Sequence, residues 1–267
     1  MSLFSAVEMA PRDPILGLNE QFAADQSPIK VNLGVGVYFD DQGKLPLLQC
    51  VQQAEHTMMA KPTARGYLPI DGIAAYDKAV QELVFVSDSA ARQQGRIVTV
   101  QALGGTGGLK VGADFLRRLA PHADVWISDP SWENHRALFE NAGFNVHQYP
   151  YYDAGSRGVD VRAMLAALMA MPARAIVILH ACCHNPTGVD LSAAQWTEVL
   201  SAVKARGLVP FLDIAYQGFG DGLDADAAVV RQFTEAGGPL FVSNSFSKDR
   251  KSTRLNSSHA NISYAVF

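Results

Sequence analysis

Near the end of this 267-residue chain one lysine, Lys248, follows a run of small polar residues, Ser243-Asn244-Ser245-Phe246-Ser247. The apolar run before it, 239–242, reads as a buried strand, so the amine stands at a strand end. By itself that is an ordinary surface lysine. Two upstream stretches change its meaning. Asp213 lies within Phe211-Leu212-Asp213-Ile214-Ala215-Tyr216, a carboxylate inside an apolar strand end. An acid there must be paired, and a helix cap, a buried arginine or a protonated ring nitrogen would each serve. Leu103-Gly104-Gly105-Thr106-Gly107-Gly108 opens a helical pattern after another apolar run. It is either a tight turn or a cradle whose backbone N–H groups receive a phosphate. An amine for a Schiff base, a carboxylate for a ring nitrogen and a phosphate cradle are together what an aromatic, phosphorylated aldehyde requires.

Other residues could complete such a site. Trp132, in Ser131-Trp132-Glu133-Asn134-His135, offers a flat face at the top of a strand or packs in the core, and His135 sits one turn further along. Asn185-Pro186 is a turn signal, and the Asn185 amide could also donate to a phenolate oxygen, as could Tyr216. Gly34 and Gly36 suggest close backbone approach to something, or a tightly packed strand. The adjacent Cys182 and Cys183 read as buried small residues. Two familiar phosphate motifs fail: a dinucleotide fingerprint from Gly105 would need glycine or alanine at Lys110, and a P-loop would need lysine followed by serine or threonine.

The elements that must position these residues form a regular alternation. Strands are expected at 97–102, 124–128, 144–149, 175–180, 208–214 and 239–243, with helices at 107–120, 132–142, 160–170 and 192–206. The last helix carries Trp196, Val199, Leu200 and Val203 at helical spacing, a capping box from Ser192 and Gln195, and Gly207 as its stop. Further helices are expected at 15–22, 47–60 and 73–87, with a loop at 65–72 carrying Tyr67. This predicts an α/β fold, a mainly parallel sheet sandwiched by helices, with ligands at the carboxyl ends of the strands. The tail from about Asp249 shows no useful apolar period.

Composition sets the bounds. Hydrophobic residues make up 48% and charged residues 18%, with a net charge of −4, which gives no reason to expect nucleic acid or an anionic membrane as partner. Three cysteines make neither a disulfide framework nor a zinc spacing, so a reduced, cytoplasmic setting and no metal are expected. The first residues lack a basic region followed by an apolar core, so no signal peptide is expected, and no apolar run is long enough to span a bilayer.

Taken in order, the segments resemble the class I pyridoxal-phosphate aminotransferases of the aspartate and aromatic amino acid branch. The resemblance runs from about residue 10 to 248. It includes Asp13-Pro14-Ile15-Leu16, Gly34-Val35-Gly36-Val37-Tyr38, Tyr67-Leu68-Pro69 and Gly104-Gly105-Thr106-Gly107. It continues through Trp132-Glu133-Asn134-His135, Cys183-His184-Asn185-Pro186-Thr187-Gly188, the Asp213 to Phe219 stretch and Ser245-Phe246-Ser247-Lys248. Several of these stretches look closer to bacterial aromatic amino acid transaminases. The resemblance implies fold type I: an N-terminal arm and partial small domain at 1–45, an incomplete cofactor-binding large domain at 46–248, and a tail, 249–267, outside the pattern. It implies that Lys248 forms the Schiff base and moves the proton, its pKa lowered by nearby positive charge and partial desolvation. Asp213 would pair with the ring nitrogen, backed by His135, while Asn185 and Tyr216 bind the phenolate oxygen and Trp132 stacks on the ring. Gly105, Thr106, Ser245 and Ser247 would line the phosphate site, Tyr67 would reach the phosphate of a partner subunit in a homodimer, and Gly36, Trp132 and Asn185 would meet the substrate. The implied substrates are an aromatic or dicarboxylic L-amino acid and 2-oxoglutarate.

The sequence departs from the pattern after Lys248. The family carries a phosphate-binding arginine eight residues on, where Asn256 stands, and Arg250 and Arg254 do not occupy the position of the arginine that clamps the substrate carboxylate. The expectation is therefore a truncated chain that holds pyridoxal phosphate weakly and transaminates poorly.

Overall fold

A computed structural model of the chain describes residues 16–31, 44, 48–64 and 66–248, and the backbone of 259–265. Gly34, Gly36, Arg250, Arg254 and Asn256 lie outside the described residues. The chain divides into two units, 1–47 and 48–267. Helix α1 (Leu16–Ala24) belongs to the first.

The second unit opens with helices α2 (Gln49–Ala60), α3 (Ala74–Phe85) and α4 (Ala90–Gln93). The alternation then begins: β1 (Ile97–Leu103), α5 (Gly104–Leu119), β2 (Val125–Asp129), α6 (Glu133–Asn141) and β3 (Val146–Pro150). A small hairpin, β4 (Tyr152–Asp153) and β5 (Gly158–Val159), precedes α7 (Val161–Ala170), β6 (Ile176–His180) and α8 (Ala193–Arg206). The unit continues with β7 (Val209–Ile214), α9 (Leu223–Asp226), α10 (Ala228–Ala236), β8 (Leu240–Ser245) and β9 (His259–Ala265). No described helix is long and apolar enough to cross a membrane.

Among the described residues seven strands form one sheet in the order β1-β9-β8-β7-β6-β2-β3. The pairs from β3 to β8 are parallel, whereas β9 runs antiparallel between β8 and β1. The tail, which shows no useful apolar period, therefore supplies a strand. Backbone ladders accept almost any residue but proline, and Ile262 and Tyr264 suit a strand, so a weak apolar period does not bar the pairing.

Side-chain alternation builds a core on each face. Val177 and Leu179 of β6, Leu212 and Ile214 of β7, and Leu240 and Val242 of β8 pack under α3, α7, α8 and α10. Ile176, Ile178, Phe211 and Phe241, their neighbours along the same strands, pack under α5 and α6 with Leu109, Leu116 and Phe139. Strands buried on both faces explain the continuous apolar runs in the sequence. The capping box at Ser192 is present, and Gly207 ends α8 in the left-handed conformation with φ +60. Besides β9, the short elements α4, β4, β5 and α9 and the helix α10 escaped the sequence reading, and α5 begins earlier than expected. Helix α10 carries its signal in Val229, Val230 and Phe233, all buried. Helix α5 starts three residues before 107, because Gly104 takes φ +62 and turns the chain directly from strand into helix.

Candidate active site

A cavity of about 190 Å³ opens at the carboxyl ends of the parallel strands. Its walls come from five places in the chain. Gly104, Gly105 and Thr106 begin α5, and Trp132 precedes α6. His180 and Asn185 flank the end of β6, Asp213 and Tyr216 that of β7, and Ser245, Ser247 and Lys248 that of β8.

Asp213 is a buried polar group on these walls. Parallel register places it beside His180 on one side and Ser243 on the other, and it shares a strand face with Phe211, toward α6. From there His135, fully buried, brings Nε2 to 2.9 Å from Asp213 Oδ2. The protons on this chain can be assigned. The Asn185 backbone N–H donates to His180 Nδ1 at 3.0 Å, so that nitrogen is an acceptor and Nε2 carries the hydrogen. His180 Nε2 then faces His135 Nδ1 at 3.3 Å, and the Ser131 hydroxyl approaches the same nitrogen at 2.9 Å. His135 Nδ1 accepts, and His135 Nε2–H donates to the carboxylate. Burial, with His135 and His184 alongside, holds His180 well below the ordinary histidine range, so it stays neutral. His184, stacked on His180 with centroids 4.2 Å apart, is pushed down by burial to about 4.

One oxygen of this network is left over. Asp213 Oδ1 is buried and has no hydrogen-bond partner among the described residues, on a side chain that lines the cavity. A buried carboxylate oxygen without a donor is costly, so the geometry calls for a proton-bearing group inside the cavity.

The opposite wall is built from backbone and hydroxyls. Helix α5 begins at Gly104 after Leu103, which makes no side-chain cap, so its first N–H groups are left for another acceptor. A side chain on Gly105 would place its Cβ 3.5 Å from that of Ser245, so the glycine keeps this corner open. Ser245 Oγ donates to Ser247 Oγ at 3.0 Å and accepts from the Ser247 N–H at 3.2 Å. Between the walls, Lys248 Nζ lies over the Tyr216 ring, 5.1 Å from its centre. Burial, then the Asp213 charge, raises the Tyr216 phenol, which therefore keeps its proton and can donate. Trp132 stands edge-on to His135, ring centres 5.4 Å apart.

The matching model is that of aminotransferase class I and II, over residues 28–255. The chain belongs to this family. It is 64% identical to an aspartate aminotransferase of Pseudomonas aeruginosa over 248 residues, 93% of this chain and 62% of the relative. It is 50% identical to an aromatic-amino-acid aminotransferase of Escherichia coli, over 92% of this chain and 62% of that one. Among solved structures, an aromatic-amino-acid aminotransferase from Burkholderia pseudomallei, covalently bound to pyridoxal phosphate, superposes with a TM-score of 0.95 at 61% identity. That match covers all of this chain and 66% of the other. This aminotransferase chain thus spans about 62% of the length of its curated relatives.

Nine of the expected site residues meet in the cavity: Lys248, Gly105, Thr106, Trp132, Asn185, Asp213, Tyr216, Ser245 and Ser247. His135 stands behind Asp213 rather than on the wall. Tyr67 is fully exposed and does not line the cavity. His180 and Ser131 were not singled out from the sequence. Only their position at strand ends hinted at them, and a histidine closing an apolar strand is the signal that could have found His180.

Proposed function

We propose that this aminotransferase chain is built to hold pyridoxal phosphate and to exchange the amino group of an aromatic or dicarboxylic L-amino acid with 2-oxoglutarate. The observation that carries the reading is the orphaned Asp213 Oδ1, a buried acceptor on a side chain that lines the same cavity as an uncapped helix N-terminus. When bound, the cofactor supplies an aldehyde for amines and a ring that withdraws electrons from the amino acid Cα. Asp213 Oδ1 would accept from the ring N–H and keep that nitrogen charged. The His135 donor on Oδ2 holds the carboxylate in place. Tyr216 and Asn185 would donate to the phenolate oxygen, and Trp132 would cover one ring face. The first N–H groups of α5, with Thr106, Ser245 and Ser247, would take the phosphate. Lys248 Nζ is the amine that would join the aldehyde and, once released, the base for the Cα proton.

The exposed Tyr67, with Ile70 at the end of the same loop, also exposed, suits contact with a second copy in a homodimer. Gly36 would meet the substrate carboxylate. A reduced, cytoplasmic setting fits the unpaired Cys50, Cys182 and Cys183.

Borohydride treatment of the chain with pyridoxal phosphate tests the reading. The expected result is a stable adduct on the peptide carrying Lys248, abolished by Lys248→Ala. An adduct that persists in Lys248→Ala, or none at all, would overturn it. Amino acid added before reduction then tests transfer, as gain of the pyridoxamine form.

A further inference from the structure

Successive side chains of an extended backbone point to opposite sides, yet Cys182 and Cys183 both line the cavity. The bend after β6 is the cause. Cys183 holds φ +49, a conformation uncommon outside glycine. The Asp190 carboxylate pins it, accepting from the Cys183 N–H at 2.6 Å and the His184 N–H at 2.8 Å. Each thiol acts most strongly on the other, which pushes Cys182 up and draws Cys183 down. Cys182 is buried and Cys183 half-buried, and the proposed amino-group exchange uses neither.

We propose that Cys182 and Cys183 form a dithiol site that captures trivalent arsenic compounds on the cavity wall. Sulfur ligands select soft centres. A structural zinc ion would require four donors, and no group of three or more His, Cys, Asp or Glu able to hold a metal occurs among the described residues. Pyramidal trivalent arsenic needs only two protein sulfurs, its third position keeping a hydroxyl or a carbon. The Asp190, Asp221 and Asp226 carboxylates near the thiols oppose thiolate formation and favour a neutral ligand such as arsenous acid. Two As–O bonds break and two As–S bonds form. Each thiol proton leaves with one hydroxyl as water, and no electrons are exchanged. The captured group would stand beside Asn185 and Tyr216, where it excludes pyridoxal phosphate. That consequence alone rests on the proposed function.

The test is titration of the whole chain with phenylarsine oxide, followed by a count of free thiols. Of the three cysteines, one equivalent is expected to consume two and leave Cys50, with recovery on adding a dithiol but not a monothiol. Cys182→Ser and Cys183→Ser should each lose the tight capture, while Cys50→Ser retains it. Mass mapping of wild type should place the bridge on the 182–183 peptide, so the result does not depend on the variants folding. All three thiols remaining free in wild type, or the bridge mapping elsewhere, would overturn the site. Intact capture without protection by pyridoxal phosphate leaves the dithiol site standing and counts against the cofactor reading.

Discussion

The two ends of the cavity solve the same problem differently. At the Asp213 end, the Asn185 backbone N–H and the side chains of His180, His135 and Asp213 form a chain of donors and acceptors that leaves one oxygen, Asp213 Oδ1, without a partner among the described residues. At the α5 end, backbone N–H groups and small hydroxyls face a common space, and no single group dominates. The buried end holds a charge whose position depends on every link, because low dielectric makes an unpaired group expensive. The helix end distributes its attraction over several partial charges, so it tolerates change.

That contrast can be broken in order of expected effect. Asp213→Ala should weaken retention of pyridoxal phosphate most. Loss of one partner of a buried charge pair costs about 3 kcal/mol, or about a hundredfold, measurable by equilibrium dialysis. A loss below tenfold would mean that the buried end is not the anchor.

Acid should strike the same end. His180 and His184 are held below the ordinary histidine value, His184 at about 4, so the unfolded chain takes up protons that the folded chain refuses. Stability is then full above about pH 6.5 and falls as pH drops toward 4, by about 3 kcal/mol for His184. Urea unfolding at about pH 7.5 and about pH 5 checks the sign.

The helix end should respond less. Ser245→Ala removes one hydroxyl from a distributed site, and its expected cost is about 1 kcal/mol, or about fivefold in cofactor retention. A drop as large as that of Asp213→Ala would erase the distinction between the two ends.

The smallest effect lies away from both. Asp77, in the first turn of α3, has a buried oxygen without a partner, and burial followed by the Asp71 charge raises it to about 6. The folded state therefore binds more protons than the unfolded state between 3.8 and about 6, and its stability falls as pH rises through that window. Asp77→Asn should stabilise the chain above pH 6, on the order of 1 kcal/mol after solvent screening, and bring no gain below 3.8. Melting curves at both pH values decide it.

Much of this molecule was legible in its residues. The strand and helix alternation from 97 to 245 follows from apolar runs and turn residues, because strands buried on both faces and amphipathic helices leave strong local patterns. Lys248, Asp213 and the Gly104 to Thr106 turn stood out because an amine, an acid and a glycine run at strand ends are locally unusual. Helix α10 and the strand at 259–265 were not read. One is short, and the other gains its place from ladder hydrogen bonds that any residue but proline can make. His180 gave no signal of its own, since a histidine ending an apolar strand has many ordinary explanations.

The sequence by itself determined the alternating elements, the residues at the strand ends and the family resemblance, because those depend on local residue type and order. Only the tertiary structure decided that Asp213 keeps one oxygen unpaired, that Asn185 fixes the His180 tautomer and through it His135, and that two adjacent cysteines share a wall. These depend on distances between β6, β7 and α6, elements far apart in the chain. Parallel register and close packing bring them within about 3 Å, and no local pattern encodes that meeting.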